Sequence, residues 1–225
     1  MPDGHGTPAP ADPLLSSRYE SLTGTVESPF PEYDAPPPEP HDLAQRWLAD
    51  AEQHGAREPR SIALATADDR GRVSNRIVTV IELSARGLLF TSHTTSLKAR
   101  DLAANGWASA AFYWREISRQ LLLSGAVRRI HDAECDALWE ARPVALHAMT
   151  TASRQSEPLG DVEGLRSEAL RLGTPGVALP RPERFVGYLL EPAEVEFWSA
   201  RPDRLHRRLR YERTGHVWQC VRLQP

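Results

Sequence analysis

Lysine, cysteine and long apolar runs are scarce in this sequence, and each shortage argues against a class of protein. Lys98 is the only lysine among 27 lysine and arginine residues, and the formal net charge is −3. Without a basic tract or a positive balance, the sequence does not predict a nucleic-acid partner. Its apolar stretches fall short of the roughly 18 to 20 residues that span a membrane, so no membrane segment is predicted.

The two cysteines, Cys135 and Cys220, do not have the spacing of a metal-binding or CxxC pair. The sequence also lacks an HExxH motif, clustered carboxylates, a Ser-His-Asp order and a GxGxxG loop after a strand. These absences argue against a hydrolase, a metal site and a Rossmann nucleotide site. The first thirty residues contain no apolar core of a secretory signal, so we expect a cytoplasmic protein whose cysteines serve packing.

Proline divides the chain into an arm and a domain. Residues 1–40 hold ten of the 19 prolines and few clustered apolar residues. Such a segment buries too little surface to offset the entropy lost on ordering. We therefore predict a flexible, proline-rich arm over residues 1–40 and one domain over residues 41–225. Four residues are able to anchor the arm on the body or on a second subunit: Tyr19, Leu22, Phe30 and Tyr33.

Short apolar runs separated by turn residues predict a mainly β domain. The run at residues 61–66 ends in Asp68-Asp69-Arg70-Gly71, whose residue types favour a tight turn. Helical spacing of apolar residues predicts helices over residues 41–54, 95–105, 132–142 and 162–172, with residues 144–154 ambiguous. The predicted strands cover residues 61–66, 73–83, 88–92, 107–114, 120–130, 185–190, 195–199, 207–212 and 217–223. This order predicts an α+β fold built on a small antiparallel barrel.

Polar residues stand in apolar runs where a buried strand does not need them. Arg76 precedes the run Ile77-Val78-Thr79-Val80-Ile81, and Gln120 opens another. Arg76 is either an edge-strand arginine facing solvent or an arginine that binds an anion at the mouth of a pocket. Gln120 is either solvated or a partner for the carbonyl or imide edge of a ring.

Hydroxyl residues crowd around the start of the predicted helix that contains Lys98. Hydroxyls and free backbone N–H groups at a helix start form an anion site, which the helix dipole strengthens. Lys98 stands in the first turn, where a cation is unfavourable for the dipole, and a bound phosphate would relieve this conflict. The competing interpretation is a simple cap beside a surface lysine. The hydroxyl residues are Thr91, Ser92, Thr94, Thr95 and Ser96.

Aromatic and cationic residues are dense near the C-terminus, around Phe197-Trp198 and residues 204–209. This pattern fits either a solvated basic strand with a packing tryptophan or a wall that stacks on a ring and holds an anion. His206 is either structural or able to transfer a proton. Arg154-Gln155-Ser156, taken alone, predicts only a loop.

Taken in order, these motifs resemble the pyridoxamine 5′-phosphate oxidase family of FMN-dependent split-barrel proteins, over about residues 41–225. Any one motif is weak, whereas their co-occurrence in this order is specific. The matching segments are Arg76-Ile77-Val78, Phe90-Thr91, Ser96-Leu97-Lys98-Ala99, Arg119-Gln120, Arg154-Gln155-Ser156, Val195-Glu196-Phe197-Trp198, Arg204-Leu205-His206-Arg207-Arg208 and Arg222-Leu223-Gln224-Pro225.

The resemblance implies an antiparallel split β-barrel with flanking helices that binds FMN across the interface of a homodimer. It places Arg204 and His206 against the substrate, as candidate catalytic residues. Leu97 departs from the arginine usual in the family's phosphate motif, which puts the affinity for the phosphate in doubt. The implied cofactor-binding residues are Arg76, Ile77, Val78, Phe90, Thr91, Ser96, Lys98, Gln120, Gln155, Ser156, Trp198 and Arg208.

The substrate pocket departs further from the family pattern. The lysine, tyrosine and serine that bind a substrate phosphate in the family correspond here to Ile81, Leu138 and Leu146, and only Arg142 of that group remains. Apolar residues leave a phosphate dianion poorly paired, which is unfavourable. The resemblance therefore implies a flatter, more apolar substrate, whose single carboxylate pairs with Arg142 or Arg204.

This pattern is similar to the phenazine-biosynthesis branch of the family. The resemblance implies an FMN-dependent oxidase that oxidises a reduced phenazine carboxylic acid, with O2 as the electron acceptor and H2O2 as the product. Two alternatives stay open. One is a pyridoxamine or pyridoxine 5′-phosphate oxidase with a rearranged phosphate pocket, and the other is a flavin-binding protein without oxidase activity.

Overall fold

A computed structural model describes residues 28–225, which form eight strands and five α helices. The helices are α1 (His41–Gln53), α2 (Leu97–Asn105), α3 (Asp132–Glu140), α4 (His147–Ala152) and α5 (Val162–Gly173). The strands are β1 (Ser61–Ala67), β2 (Val73–Ser84), β3 (Gly87–His93), β4 (Trp107–Trp114), β5 (Arg119–Arg129), β6 (Phe185–Ser199), β7 (Arg207–Thr214) and β8 (Val217–Leu223). None of the helices in this range has the length and apolar character needed to cross a membrane.

Six of these strands close into an antiparallel barrel. Their order is β3-β2-β1-β4-β5-β6, and β3 also pairs with β6, so the sheet returns on itself. Closure leaves the barrel strands without a free edge except where β2 and β3 separate, before Val80. β7 and β8 extend the sheet beyond β6. The predicted α+β, mainly β architecture with an antiparallel split barrel and flanking helices is confirmed.

Alternating burial along the strands gives the barrel its apolar interior. In β1, Ile62, Leu64 and Thr66 are buried, while the residues between them are partly exposed. β4 repeats the pattern with Ala108, Ala110, Phe112 and Trp114. Because successive side chains of a strand point to opposite faces, these residues fill the barrel, and the residues between them lie on its outer face.

Aromatic packing holds α1 against the barrel. The ring of Trp47 meets Phe197 of β6 edge to face at a centroid distance of 5.1 Å. Arg119 of β5 lies 4.4 Å from the centre of the Trp47 ring and forms a 2.9 Å ion pair with Asp50. The predicted apolar face of α1 therefore packs on the barrel, and Arg119 links this helix to β5.

The last part of the predicted arm, residues 28–40, lies against the domain. Phe30 is 1% exposed, and its ring packs 4.9 Å from Trp47. The Tyr211 hydroxyl donates a hydrogen bond to the Pro37 carbonyl at 3.1 Å, and Arg222 donates to the Tyr33 carbonyl at 2.8 Å. Phe30 and Tyr33 thus serve as anchors. Tyr19 and Leu22 fall outside the described residues, and the flexibility of the arm stays a prediction.

The C-terminal half of the barrel departs from the sequence prediction at one point. Residues 185–199 form a single strand, β6, where two strands were predicted on either side of Pro192. The pairing of β5 with β6 shifts register between Ser124 and Gly125, and Pro192 lies opposite Gly125. Proline lacks a backbone N–H group, and a register shift is one of the places where a sheet tolerates it. A Cβ atom on Gly125 would lie 2.1 Å from the Glu191 carbonyl oxygen, so only glycine fits this approach.

Candidate functional site

The barrel is split where β2 and β3 separate. These strands pair from Val80–Phe90 to Ser84–Gly87, whereas β2 before Val80 pairs with β1 and β3 beyond Phe90 pairs with β6. The opening between them is a cavity of about 910 Å³, covered on its other sides by the start of α2, the end of α3 and the loop after α4.

Eleven of the residues predicted from the sequence line this cavity. They come from β2, β3, α2, α3 and the segments around α4, which lie far apart in the chain. The structure therefore brings together Arg76, Ile77, Val78, Ile81, Thr91, Lys98, Leu138, Arg142, Leu146, Gln155 and Ser156.

Arg76 belongs to a buried polar network at one part of the cavity. Its guanidinium donates hydrogen bonds to the Thr66 hydroxyl at 2.6 Å and the Ser74 hydroxyl at 2.5 Å. It also lies 3.6 Å from the Asp101 carboxylate. Burial lowers the pKa of Arg76 from its ordinary value, and Asp101 opposes that effect. Arg76 is therefore a fixed cation at the cavity rather than a surface arginine.

Asp101 is a site residue that the sequence prediction missed. It lies on α2, is 4% exposed, and accepts hydrogen bonds from Thr66 at 2.6 Å and Ser74 at 2.7 Å. A carboxylate is rarely buried unless it is paired. A single acidic residue within a helix carries no spacing signal, so the sequence pattern did not single out Asp101.

Lys98 extends from the first turn of α2 into the same cavity. Its ammonium donates to the Ser92 hydroxyl at 3.0 Å and approaches Oε1 of Gln155 at 3.5 Å. Burial, and then the charge of Arg76, lower the pKa of Lys98. No carboxylate within residues 28–225 pairs with this lysine. Two cations, of which only Arg76 has a carboxylate partner, lie beside several hydroxyls, and this arrangement fits a bound phosphate.

The loop after α4 completes the part of the cavity that contains Arg76 and Lys98, which we call the cationic part. The hydroxyl of Ser156 accepts a hydrogen bond from the Leu97 N–H group at 3.1 Å, and the Ser92 hydroxyl donates to Oε1 of Gln155 at 3.2 Å. Gln155 and Ser156 were assigned to the cofactor site by family resemblance alone, since their own sequence pattern predicted only a loop. The contacts show that this loop is fixed to the start of α2.

The apolar part of the cavity is lined by Ile81, Leu138, Leu146 and Phe185, and Arg142 is its cation. Helix α3 ends at Glu140, two residues before the predicted boundary, so Arg142 lies just beyond the helix. It lines the cavity together with Leu138 and Leu146. Its guanidinium lies 5.6 Å from the centre of the Phe185 ring and donates to the Thr150 hydroxyl at 3.4 Å. Its Nε is buried without a partner among the described residues, and burial lowers its pKa. Arg142 is thus an uncompensated cation in an apolar wall.

Five predicted residues lie outside the cavity, around one end of β6, and we call them the outer group: Gln120, Trp198, Arg204, His206 and Arg208. Gln120 and Arg208 flank Trp198 on neighbouring strands. The His206 ring lies 4.8 Å from that of Trp198, and Arg208 forms a 2.8 Å ion pair with Glu196. One copy of the chain therefore does not bring the outer group and the cavity residues into a single pocket.

Two further predicted residues are structural in their contacts. Phe90 is fully buried and stacks on Tyr188 at 5.6 Å between ring centres. Ser96 caps α2, since its hydroxyl accepts a hydrogen bond from the Ala99 N–H group at 3.3 Å. Neither side chain lines the cavity, and their predicted role in binding the cofactor stays untested.

Comparison with protein families identifies the chain. A family model described as pyridoxamine 5′-phosphate oxidase matches residues 48–174, which is more than half of the sequence. A second, described as the pyridoxine 5′-phosphate oxidase C-terminal dimerisation region, matches residues 185–225. The chain belongs to the pyridoxamine 5′-phosphate oxidase family. The resemblance predicted from the ordered motifs is confirmed, and the chain is an oxidoreductase of this family.

Individual members of the pyridoxamine 5′-phosphate oxidase family match nearly the whole chain. Dihydrophenazinedicarboxylate synthase from Burkholderia lata is 53% identical, over 94% of this chain and 100% of its own length. Pyridoxine/pyridoxamine 5′-phosphate oxidase from Anaeromyxobacter dehalogenans is 41% identical, over 84% of this chain and 96% of its own. The crystal structure of PhzG from Burkholderia lata in complex with tetrahydrophenazine-1-carboxylic acid superposes on this chain with a TM-score of 0.88. The two sequences are 52% identical, and the match covers 90% of this chain and 100% of that one.

Proposed function

We propose that this protein is an FMN-dependent oxidase of phenazine biosynthesis, which oxidises a reduced phenazine carboxylic acid. The observation that carries the proposal is the apolar wall of the cavity, in which Ile81, Leu138 and Leu146 lie with Arg142, a cation without a carboxylate partner among the described residues. The relatives support it, because a 53% identical protein is named dihydrophenazinedicarboxylate synthase and a similar structure holds tetrahydrophenazine-1-carboxylic acid.

The cationic part of the cavity is the proposed site of the FMN phosphate. Arg76 and Lys98 supply the positive charges, and Ser92 and Ser156 supply hydroxyls. Both cations are already partly removed from water, so their attraction to a phosphate is less screened than at the protein surface. Bound FMN supplies an acceptor for two electrons, which the twenty amino acids do not provide.

The apolar part of the cavity favours a monoanionic aromatic substrate over a phosphate ester. Leucine and isoleucine side chains offer no hydrogen bonds to a dianion, and a single guanidinium compensates only part of its charge. Arg142 matches one carboxylate, with which it is able to form two parallel hydrogen bonds. The surrounding apolar surface suits the faces of a flat ring system.

A second copy of the chain is proposed to complete the site. The outer group and the cavity residues do not meet within one chain, and residues 185–225 match a dimerisation region. A homodimer in which the outer group of one subunit faces the cavity of the other would bring both sets together. Trp198 would then supply a stacking surface, and Gln120 and Arg208 would bind polar edges.

The proposed contribution of His206 follows from its hydrogen bond. Its Nδ1 accepts from the Arg201 N–H group at 3.1 Å, so in the neutral ring the hydrogen is carried by Nε2. Burial, and then the charge of Arg204, lower the pKa of His206 and favour this neutral form. His206 is thus a hydrogen-bond donor that, with Arg204, orients a polar group of the substrate.

The proposed overall reaction balances with molecular oxygen. The reduced phenazine loses a hydride and a proton, and O2 takes up two electrons and two protons to become H2O2. The formation of an aromatic ring system makes the oxidation favourable. The protein contributes by excluding water, holding the carboxylate at Arg142 and orienting the ring plane.

Oxygen consumption by the FMN-reconstituted protein tests the proposed function. A dihydrophenazine carboxylate is expected to cause O2 uptake and H2O2 formation in equal amounts, at a rate above the uncatalysed oxidation measured without protein. A protein that binds FMN but adds nothing to the uncatalysed rate would instead be a flavin-binding protein without oxidase activity. A protein that cannot be reconstituted with FMN would contradict the proposal entirely.

A further inference from the structure

His93 is a buried histidine that lines the same cavity as Arg76 and Lys98. It is the last residue of β3, it is 1% exposed, and it lines the opening between β2 and β3. Its Nε2 is buried without a hydrogen-bond partner within residues 28–225. Buried polar atoms are nearly always paired, so an unpaired nitrogen in a ligand cavity calls for a partner that the protein itself does not supply.

The hydrogen bond of the other ring nitrogen fixes which atom carries the hydrogen. The Gln155 N–H group donates to Nδ1 of His93 at an N–N distance of 3.4 Å. A neutral imidazole that accepts at Nδ1 carries its hydrogen at Nε2. The unpaired atom is therefore an N–H donor, and its partner has to be an acceptor.

The charges around His93 keep the ring neutral and favour an anionic partner. Burial, followed by repulsion from Arg184, Lys98 and Arg142, lowers the pKa of His93 to about 4. Among residues 28–225 no carboxylate shifts the pKa of His93, and Arg184 is held by hydrogen bonds to the Thr151 and Ser153 carbonyls. Three cations around one neutral donor form a positive region, in which a negatively charged oxygen is the favoured acceptor.

A second buried histidine shows what a purely structural role looks like in this fold. Nδ1 of His147 accepts from the Leu179 N–H group at 3.2 Å, and its Nε2 lies 3.2 Å from the Arg142 carbonyl oxygen. Its ring also stacks on Trp139 at 4.1 Å. Both nitrogens of His147 are used by the protein, whereas one nitrogen of His93 is not.

We infer that His93 is a ligand-binding residue whose neutral Nε2–H group donates a hydrogen bond to an anionic oxygen of the molecule held in the cavity. The inference deepens the proposed function and rests on it. The anionic oxygen belongs either to the phosphate of the cofactor or to the carboxylate of the substrate. Both sources have the same chemistry, and the experiment separates them.

Two variants with two ligand pairs test this inference. His93→Met removes the donor at similar volume, while His93→Gln retains an N–H donor. Binding is measured for FMN against riboflavin, and for phenazine-1-carboxylate against phenazine. His93→Met is expected to weaken the binding of the anionic member of one pair by roughly 10- to 100-fold and to leave the binding of the neutral member unchanged. His93→Gln is expected to restore most of the lost affinity. The pair that responds identifies the source of the oxygen.

A measurement on the unaltered protein guards against a folding defect in the variants. In protein labelled with 15N-histidine at pH 7, the Nε2 proton of His93 is expected to move downfield and to exchange more slowly with water when the anionic ligand binds. The signal is assigned to His93 by its absence from the spectrum of His93→Gln. If that variant does not fold, selective labelling and the contact between His93 and the Gln155 N–H group assign it instead. A structural histidine such as His147 would show no comparable change.

The outcomes separate this inference from the proposed function. The inference is overturned if the wild type binds both anions, His93→Met keeps the same preference for the anionic over the neutral ligands, and the Nε2 proton signal does not move. That result leaves the proposed function intact. Equal loss of the charged and neutral members of a pair overturns it as well, because a donor to an anion acts on the anion alone. Wild-type protein that binds neither anion refutes the proposed function and the inference together.

Discussion

Replacing Arg142 by methionine tests the assignment of the substrate carboxylate to this side chain. Arg142→Met keeps an unbranched, apolar side chain beside Leu138 and Leu146 but removes the cation. The native guanidinium has no carboxylate partner among the described residues, so its removal leaves no protein anion unpaired. The variant is therefore expected to fold and to lose affinity mainly for anionic ligands.

The size of the loss follows from the geometry. A guanidinium and a carboxylate about 4 Å apart attract by about 4 kcal/mol at an effective dielectric constant near 20. Part of this attraction offsets the removal of the carboxylate from water, and hydrogen bonds to charged groups contribute about 1.5–3 kcal/mol net. At 1.4 kcal/mol for each factor of ten, the expected loss is roughly 10- to 140-fold in Kd.

Calorimetric titration of the FMN-loaded protein with oxidised ligands measures this loss without turnover. Phenazine-1-carboxylate is expected to bind more weakly to Arg142→Met, whereas phenazine, which has no carboxylate, is expected to bind as it does to the wild type. Arg142→Lys, which keeps the charge but not the planar fork, should fall between them. Equal weakening of both ligands in Arg142→Met would refute the assignment, because it would show a general disturbance of the cavity.

Three further variants probe the cofactor site, the substrate pocket and the arm. Lys98→Met is expected to weaken FMN binding roughly 10- to 100-fold and to leave riboflavin binding unchanged, since only FMN carries a phosphate; titration of the cofactor-free protein measures both. The combined change Ile81→Lys, Leu138→Tyr and Leu146→Ser restores three polar partners beside Arg142 and is expected to raise turnover of pyridoxine 5′-phosphate, measured as O2 uptake. Phe30→Ala is expected to lower the free energy of unfolding by about 3–5 kcal/mol in urea, because the ring is fully buried against Trp47.

Each of these predictions has an outcome that contradicts it. Parallel losses of FMN and riboflavin in Lys98→Met would show that the lysine does not act on the phosphate. An unchanged rate with pyridoxine 5′-phosphate in the triple variant would mean that the apolar residues do not set the preference. A loss below about 1 kcal/mol in Phe30→Ala would show that the arm contributes little to stability. Phe30→Leu, which keeps an apolar side chain, serves as the control.

The sequence was informative about the barrel because its strands have local signals. β1 and β4 alternate in burial as their apolar residues predict, and the turn after β1 uses Asp68, which accepts hydrogen bonds from two backbone N–H groups. β6 was predicted as two strands, residues 185–190 and 195–199, which lie on either side of Pro192. Its continuity depends on the register shift opposite Gly125, a contact between distant segments that local patterns do not encode.

The site was predictable only in part, for a similar reason. Arg76 and Lys98 stood out as charges in apolar or dipole-unfavourable positions, and the structure places both at the cavity. Asp101 and His93 were missed because a single acidic or histidine residue carries no spacing signal. Their importance lies in partners from other elements, such as Ser74 for Asp101 and Gln155 for His93. The separation of Trp198 from the cavity likewise follows from the sheet order rather than from sequence.

The rate ratio between two substrates tests the central proposal most directly. In air, one preparation of FMN-reconstituted protein is assayed with a dihydrophenazine carboxylate and with pyridoxine 5′-phosphate, and kcat/KM is determined for each after subtraction of the uncatalysed rate. The apolar wall around Arg142 predicts efficient turnover of the phenazine and little turnover of the phosphate ester. Comparable or faster turnover of pyridoxine 5′-phosphate would contradict the proposed substrate.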